Sequence, residues 1–306
     1  MGLRVPQGFH AAPLRDGDID AVVALVRQCE AHDSGRPMYE RADLVGDLAQ
    51  VDREHDALVV RAPGGQIVAW ALVLHRRSRW ADVAPVARER GIGRALVGWS
   101  VDRASVLGAD RIGQTIDDRR TDAVELMRAC GAVPVRTAWV LRRPAAPEDG
   151  SLAVETPGIT LRDATPDDHD DALAMMELAF SEWPDRTPST LDAWRAMVTH
   201  REGFTDADLR LAVAEGGRLV GASFVIDDGA EIWVDKLATH PAARGRGIGL
   251  ALLVDAFRRA ASAGRTSTAL STDSNTGALP FYERAGMRVE ESFTHWAIPL
   301  RADLPA

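Results

Sequence analysis

Two short glycine-rich stretches constrain the fold of this chain more than any other feature. The first reads Arg-Glu-Arg-Gly-Ile-Gly over residues 88–93, and the second reads Arg-Gly-Arg-Gly-Ile-Gly over residues 244–249. An apolar pattern with helical spacing follows each stretch and ends at Gly108 in the first copy and at Gly264 in the second. Because 306 residues suffice for two ordinary domains, the repeat predicts a tandem duplication of one α/β unit.

The similarity between the copies extends to both sides of the glycine-rich stretches. Each copy opens with an acidic helix start, continues through two strand-like runs around a Gly-Gly turn, and closes on a strand that contains a tryptophan. A Pro- and Gly-rich stretch separates the copies. We therefore predict an N-terminal domain at 1–143, a linker at 144–157 and a C-terminal domain at 158–306.

Composition and charge exclude several classes of protein. The chain is 46% hydrophobic and 26% charged, which is typical of a globular protein, and its net charge of −9 offers no basic surface to nucleic acid or to an anionic membrane. Cys29 and Cys130 are too few and too unpatterned for a disulfide framework or a zinc site, so we expect no metal. The chain shows neither a signal-peptide core nor an apolar run near the roughly 18 residues that span a bilayer. We expect a soluble, cytoplasmic protein.

The second glycine-rich stretch has the properties of a phosphate-binding turn. A strand-like run ends at Pro241 and a helix is predicted to begin near Gly247, where the first N–H groups lack intrahelical partners and the helix dipole adds about half a positive charge. The glycines leave these N–H groups uncovered, and Arg244 and Arg246 add full positive charges. The stretch therefore predicts a cradle for a pyrophosphate. Its spacing matches neither the dinucleotide-binding nor the P-loop motif.

The pattern Arg-x-x-Gly-x-Gly after a strand, with "NTGALPFYERAGM" downstream, resembles the GNAT superfamily of acyl-CoA-dependent N-acetyltransferases. The resemblance covers the whole chain as two units and is strongest over residues 231–289. It implies an α/β protein of two tandem GNAT-like domains, each a mixed, mostly antiparallel sheet flanked by helices, with acetyl-CoA as co-substrate. Carried over by position, it assigns the pantetheine arm and the pyrophosphate to Leu237, Thr239, Arg244, Gly245, Arg246, Gly247, Ile248, Gly249, Leu250 and Asn275.

The same resemblance supplies two candidate catalytic residues. Tyr282 matches the tyrosine that this family places near the thioester sulfur, and a phenol with an ordinary pKa of about 10 suits protonation of a departing thiolate. Asp235 matches an acidic residue of similar small-molecule enzymes and is the candidate base, acting through water. An ordinary solvent-facing carboxylate at a strand edge is the alternative. Strand alternation predicts that Glu231, Trp233, Asp235 and Leu237 share one face.

The first copy keeps the turn but not the candidate catalytic residues. Met127 and Arg120 stand where the second copy has its tyrosine and its asparagine, and the register of the candidate base falls near Arg79. We therefore predict that the N-terminal domain is degenerate and non-catalytic. Its turn retains a vestigial cofactor site at Arg88, Arg90, Gly91 and Gly93.

The acceptor is expected to bind the segment 179–198, because the resemblance places substrate specificity in the first two helices and their loop. Glu182 and Asp185 would attract a cationic amine and Trp183 would form a wall, with solvated loop residues as the alternative. We predict an N-acetyltransferase acting on a primary amine of a small molecule, as a monomer or homodimer, with no nucleic-acid or membrane partner. Two alternatives remain open: a non-catalytic acyl-CoA-binding sensor or scaffold, and a protein or peptide N-acetyltransferase.

Overall fold

The computed structural model describes residues 3–74, 78–183 and 188–300. The chain divides into two compact units, of which unit 1 comprises Met1–Thr137 with Phe293–Ala306 and unit 2 comprises Ala138–Ser292. Within the described ranges, every helix is too short or too polar to cross a membrane.

Unit 1 contains helices and strands in the order expected of an α/β repeat. They are β1 (His10–Pro13), α1 (Ile19–Asp33), α2 (Arg41–Leu48), α3 (Arg53–Asp56), β2 (Ala57–Arg61), β3 (Ile67–Leu74), β4 (Ser78–Val83), α4 (Ile92–Val106), β5 (Arg111–Asp117) and α5 (Thr121–Ala129). Strand β6 (Val133–Pro144) begins in unit 1 and continues into unit 2.

Unit 2 repeats this order, except that two α-helices rather than three separate its first two strands. Its elements are β7 (Ile159–Asp163), α6 (His169–Phe180), α7 (Leu191–Met197), β8 (Leu209–Ala214), β9 (Leu219–Asp227), β10 (Glu231–Thr239), α8 (Ile248–Ser262), β11 (Ser267–Asp273) and α9 (Leu279–Arg284). Strand β12 (Arg288–Pro299) begins in unit 2 and ends in unit 1.

The sheet of each unit is mixed and mostly antiparallel. Strands β1 to β4 pair with their neighbours in antiparallel fashion, and β4 pairs with β5 in parallel. Strands β7 to β10 repeat the antiparallel pairing, and β10 pairs with β11 in parallel. The predicted fold class is therefore confirmed.

The last sheet strand of each unit comes from the other half of the chain. Strand β5 pairs with residues 293–299 of β12, and β11 pairs with residues 138–144 of β6. Trp296 is accordingly buried in a core cluster of unit 1, and Leu141 is buried in a core cluster of unit 2. The copies are therefore completed by exchanging their final strands.

The compact units thus differ from the division into 1–143, 144–157 and 158–306. The residues at 144–157 belong to unit 2, where the 3-10 turn Pro147–Ser151 packs on α8. Arg143 anchors this turn through two hydrogen bonds to the Asp149 carboxylate, at 2.7 and 2.6 Å. A hydrophobic pattern marks a strand but does not name its partner, so the exchange has no signal in the sequence.

Helices α4 and α8 occupy equivalent places and end as predicted. Gly108 and Gly264 adopt φ values of 74° and 66° just after these helices, the left-handed geometry of a C-terminal cap. On the inner face of α8, Ile248 and Leu252 lie so close to β9 that a Cβ on Gly221 would come within 2.7 Å of Ile248 Cγ2. This close packing fixes the start of α8 against the sheet.

Candidate active site

The glycine-rich turn of unit 2 carries β10 into α8. Gly245 and Gly247 have φ values of 77° and 78°, which glycine adopts more readily than other residues. Gly247 caps α8, and its carbonyl accepts the first intrahelical bond from the Ala251 N–H, so the amides of residues 248–250 have no intrahelical partner. A Cβ placed on Gly245 would meet nothing within 4 Å. Residues 244–247 of the turn are therefore exposed, and the start of α8 that follows them supplies N–H donors without intrahelical partners.

Strand β10 diverges from β11 beside this turn. Among the described residues the two strands pair only over residues 231–233 of β10, whereas β11 pairs along its whole length with β6. The His240 N–H donates to the Val220 carbonyl at the start of β9. Because backbone groups alternate in direction along a strand, those of Leu237 and Thr239 point away from β9, towards the gap. An extended ligand lying in the gap would find these groups available.

Asp235 lies in a β-bulge of β10. Val234 pairs with Val225, and Lys236 pairs with Phe224, which is the next residue along β9. Asp235 is therefore an extra residue, and it lies with Lys236 opposite a single partner residue.

The bulge overturns the predicted common face. Before it, Trp233 lies on the face opposite Val234; after it, Leu237 lies on the same face as Val234, because the extra residue shifts the alternation by one. The expectation that Glu231, Trp233, Asp235 and Leu237 share one face is therefore wrong.

Asp235 is ion-paired with its neighbour. The Lys236 Nζ lies 2.6 Å from Asp235 Oδ2, and both side chains are about one-quarter exposed. No other donor contacts the Asp235 carboxylate in the described part of the chain, so Oδ1 is available to a water molecule or an ammonium group. Sequence reasoning missed this partner, although Lys236 is the only lysine of the chain and directly follows the candidate base.

Tyr282 lies in the short helix α9. Its ring is half-buried and centred 5.0 Å from the ring of Phe281. Burial raises the pKa of Tyr282 to about 12, so the phenol remains protonated at neutral pH. A Cβ on Gly249 would lie 3.6 Å from Phe281 Cζ and 3.4 Å from Thr239 Oγ1. The start of α8, the end of β10 and α9 therefore meet at Gly249.

Asn275 lies in the exposed turn between β11 and α9. Its backbone N–H donates to Asp273 Oδ1 at 2.9 Å, and the Thr272 and Thr276 hydroxyls bond to each other at 2.8 Å across the same turn. These contacts order the backbone and leave the Asn275 side chain on the surface.

The two arginines of the turn differ in their surroundings. Arg244 Nη1 donates to Glu182 Oε2, and Nη2 donates to the Ala179 carbonyl at 3.3 Å. Arg246 is exposed and has no ion-pair partner within the described ranges. Trp183 is also exposed, with its ring 4.5 Å from that of Phe180. Asp185, the other predicted acceptor residue, lies outside the described residues.

In the equivalent turn of unit 1, called the closed turn below, the first arginine is held by ion pairs. Both terminal nitrogens of Arg88 donate to the Asp33 carboxylate, at 2.7 and 2.8 Å, and Arg120 donates to the same carboxylate. The three side chains are only 13–24% exposed. Glu89 occupies the place of Gly245 and has a φ of 62°, so a carboxylate replaces hydrogen on a similar backbone. Three further residues of the predicted vestigial site, Arg90, Gly91 and Gly93, are exposed or half-exposed.

Unit 1 also lacks counterparts of the candidate catalytic groups. Met127 occupies the position of Tyr282, because in each unit the carbonyl at this position accepts the N–H five residues further on. Its side chain is buried, and Arg79 Nη1 lies 3.8 Å from its sulfur. Strand β4 pairs with β3 residue for residue, without a bulge, so Asp235 has no equivalent.

Comparison with known proteins identifies the family of this chain. The model of the acetyltransferase (GNAT) family matches residues 172–287. A mycothiol acetyltransferase of Tsukamurella paurometabola is 30% identical over 302 residues, which cover 92% of this chain and 96% of the relative. The chain belongs to the GNAT family of acetyltransferases. It is therefore an acyltransferase, and acetyl-CoA is its co-substrate.

Solved structures support the tandem GNAT organisation. A GCN5-related N-acetyltransferase from Sphaerobacter thermophilus is 29% identical, with a TM-score of 0.74 over 99% of both chains. A tandem GNAT protein from the clavulanic acid biosynthesis pathway shares the fold, with a TM-score of 0.66 and 17% identity over 97% of this chain and 99% of that one.

The residues of unit 2 fit the co-substrate of this GNAT protein. The open position at Gly245 gives a phosphate access to the turn that starts α8, and Arg246 adds a cation free of ion pairs in the described structure. The divergence of β10 from β11 leaves room for an extended arm that ends near α9.

Proposed function

We propose that the C-terminal half of the chain transfers an acetyl group from acetyl-CoA to a primary amine of a small molecule, through the residues of unit 2. One observation carries the proposal: unit 2 combines an exposed turn with Tyr282, whereas unit 1 has a turn whose first arginine is ion-paired to Asp33 and has Met127 in the place of the tyrosine. The N-terminal domain is, in this proposal, non-catalytic.

The turn binds the pyrophosphate through Arg244, Arg246 and the amides at 245–250. Leu237 and Thr239 offer backbone groups to the pantetheine arm, which their direction away from β9 favours. Asn275 lies at the other side of the gap, after β11, where its exposed amide can approach the arm.

Asp235 acts as the general base and Tyr282 as the general acid. An amine at neutral pH is mostly an ammonium and must lose a proton before it attacks a thioester; Asp235 removes that proton through a water molecule on Oδ1. Tyr282 donates its hydroxyl proton to the departing thiolate, and its raised pKa keeps that proton in place until then. The Lys236 ion pair holds Asp235 in one orientation.

A small-molecule acceptor is supported by the name of the relatives, which are mycothiol acetyltransferases. Glu182 supplies a negative charge and Trp183 an exposed ring for a cationic acceptor. The cytoplasmic location and the monomeric or homodimeric state stay predictions.

A screen of CoA release tests this function. The chain is incubated with acetyl-CoA and a panel of primary amines, aminoglycosides, amino acids and peptides, with Tyr282→Phe as the matched control. We expect Tyr282-dependent release with at least one small amine. Binding of acetyl-CoA without turnover across the panel would indicate the sensor, and release with peptides alone would indicate a peptide acetyltransferase.

A further inference from the structure

Arg244 of the proposed pyrophosphate site already has an anionic partner within the chain. Glu182, two residues beyond the end of α6, accepts a hydrogen bond from Arg244 Nη1, and the Ala179 carbonyl accepts one from Nη2. Arg244, the first residue of the turn, is therefore bound to the C-terminal end of α6 and the residues just after it.

The ion pair between Arg244 and Glu182 is weak enough for a stronger anion to displace the carboxylate. Both side chains are 49% exposed, and Glu182 contacts Arg244 through one oxygen. A pyrophosphate carries more charge than a carboxylate and reaches the helix amides and Arg246 as well. Competition for Arg244 therefore favours the pyrophosphate once it arrives.

We propose that Glu182 is an internal competitor of the acetyl-CoA pyrophosphate: it holds Arg244 in the free protein, and once displaced it binds the cationic acceptor. The proposal rests on the proposed function of unit 2. The Glu182 carboxylate thus has two successive cationic partners, the Arg244 guanidinium first and the acceptor ammonium second. Glu182 then lies next to the exposed Trp183 without its former partner, beside the surface where the acceptor is expected. Arrival of the first substrate thereby creates negative charge for the second.

Calorimetric titration of Glu182→Gln separates this competition from other effects. The variant should bind acetyl-CoA about 2- to 5-fold more tightly than the wild type, the range set by the strength of an exposed ion pair. Acetyl-pantetheine, which has no pyrophosphate, should bind both proteins equally. Glu202→Gln, which removes an exposed carboxylate elsewhere in unit 2, should leave both affinities unchanged.

A double-mutant cycle with Arg244→Met locates the effect. If Glu182 acts by occupying Arg244, then Glu182→Gln should not tighten acetyl-CoA binding in the Arg244→Met background. An acetyl-CoA affinity of Glu182→Gln equal to that of the wild type would overturn the competition. So would an equal gain in affinity for acetyl-pantetheine, or an equal gain in acetyl-CoA affinity when Glu182→Gln is added to Arg244→Met. A wild type that fails to bind acetyl-CoA would instead refute the proposed function.

The acceptor half has its own readout. For the amine that gives the highest turnover in the screen, Glu182→Gln should raise KM several-fold while kcat stays near the wild-type value. The loss concerns binding of a cation and leaves Tyr282 in place. A KM equal to that of the wild type would show that the displaced carboxylate does not bind the acceptor.

Discussion

The first arginines of the two glycine-rich turns, Arg88 and Arg244, have ion-pair partners that differ in burial. In unit 2, Arg244 forms an ion pair with one half-exposed carboxylate, that of Glu182. In unit 1, Arg88 and Arg120 both form ion pairs with one largely buried carboxylate, that of Asp33. The backbone path of the turn is retained in both units. We infer that the side chains around such a turn, more than its glycines, decide whether it remains open to an anion.

A second difference lies in the turn itself. Gly245 leaves the surface above the helix amides uncovered, whereas Glu89 at the equivalent position holds a φ of 62° and carries a negative charge. A non-glycine residue in this region is strained by about 1–2 kcal/mol. Unit 1 therefore keeps the turn in spite of backbone strain at Glu89. The Glu89 carboxylate repels an anion at the place where Gly245 of unit 2 leaves room for one.

The largest effect is expected from a carboxylate placed in the open turn. Gly247→Asp should weaken acetyl-CoA binding by more than about 100-fold and abolish turnover, because like charges brought together cost several kcal/mol. Gly91→Asp is the matched control, since the two glycines have φ values of 78° and 82°, and it should leave turnover nearly intact. Calorimetry and CoA release measure both. Loss of activity in a folded Gly91→Asp protein would give unit 1 a catalytic role.

Removal of one hydroxyl tests the proton donor. Tyr282→Phe should lower kcat by about 10²- to 10⁴-fold while acetyl-CoA affinity barely changes, because the pyrophosphate binds elsewhere. Met127→Leu, at the equivalent position of unit 1, should leave kcat unchanged. Since burial raises the pKa of Tyr282 to about 12, its ionisation should cause no alkaline loss of activity until the pH comes within about one unit of that value. Full kcat in Tyr282→Phe, where chemistry limits turnover, would remove the acid role.

The bulge of β10, which the equivalent strand β4 lacks, offers a third test. Asp235→Asn should lower kcat/KM by about 10²-fold and move the acidic limb of its pH profile, because the amide cannot accept the proton. A pH series of initial rates measures the change. An unmoved acidic limb would assign proton removal to water and the strand backbone.

A smaller effect is expected from opening the closed turn. Asp33→Asn should destabilise the protein by about 2–3 kcal/mol, because it leaves two largely buried arginines without their shared carboxylate. Inorganic pyrophosphate should then raise the melting temperature of Asp33→Asn more than that of the wild type. Asp20→Asn, on the exposed face of the same helix, is the control. Equal shifts in all three proteins would show that Asp33 does not block an anion site.

The parts of the fold that depend on local geometry could be predicted from the sequence. The helix starts at residues 92 and 248 and the caps at Gly108 and Gly264 follow from glycine positions and apolar spacing, whereas the mixed sheets were expected from the family resemblance. The exchange of β6 and β12 could not, because strand partners are chosen by packing across the whole chain.

The candidate site shows the same limit. The glycine pattern predicted the turn, but one extra residue in β10 changed the face of Leu237, and alternation alone gives no warning of a bulge. The Arg244–Glu182 pair joins residues 62 positions apart, and Arg88–Asp33 joins residues 55 apart. Such contacts depend on tertiary packing, so the sequence named the charged residues without naming their partners.

The number of acetyl-CoA molecules bound per chain tests the contrast between the two turns most directly. Equilibrium dialysis or calorimetry of the wild type should give one site per chain, retained in Gly91→Asp and lost in Gly247→Asp. Two sites per chain in the wild type, with one lost in each variant, would contradict the account, because they would show that the ion-paired turn of unit 1 still binds the co-substrate.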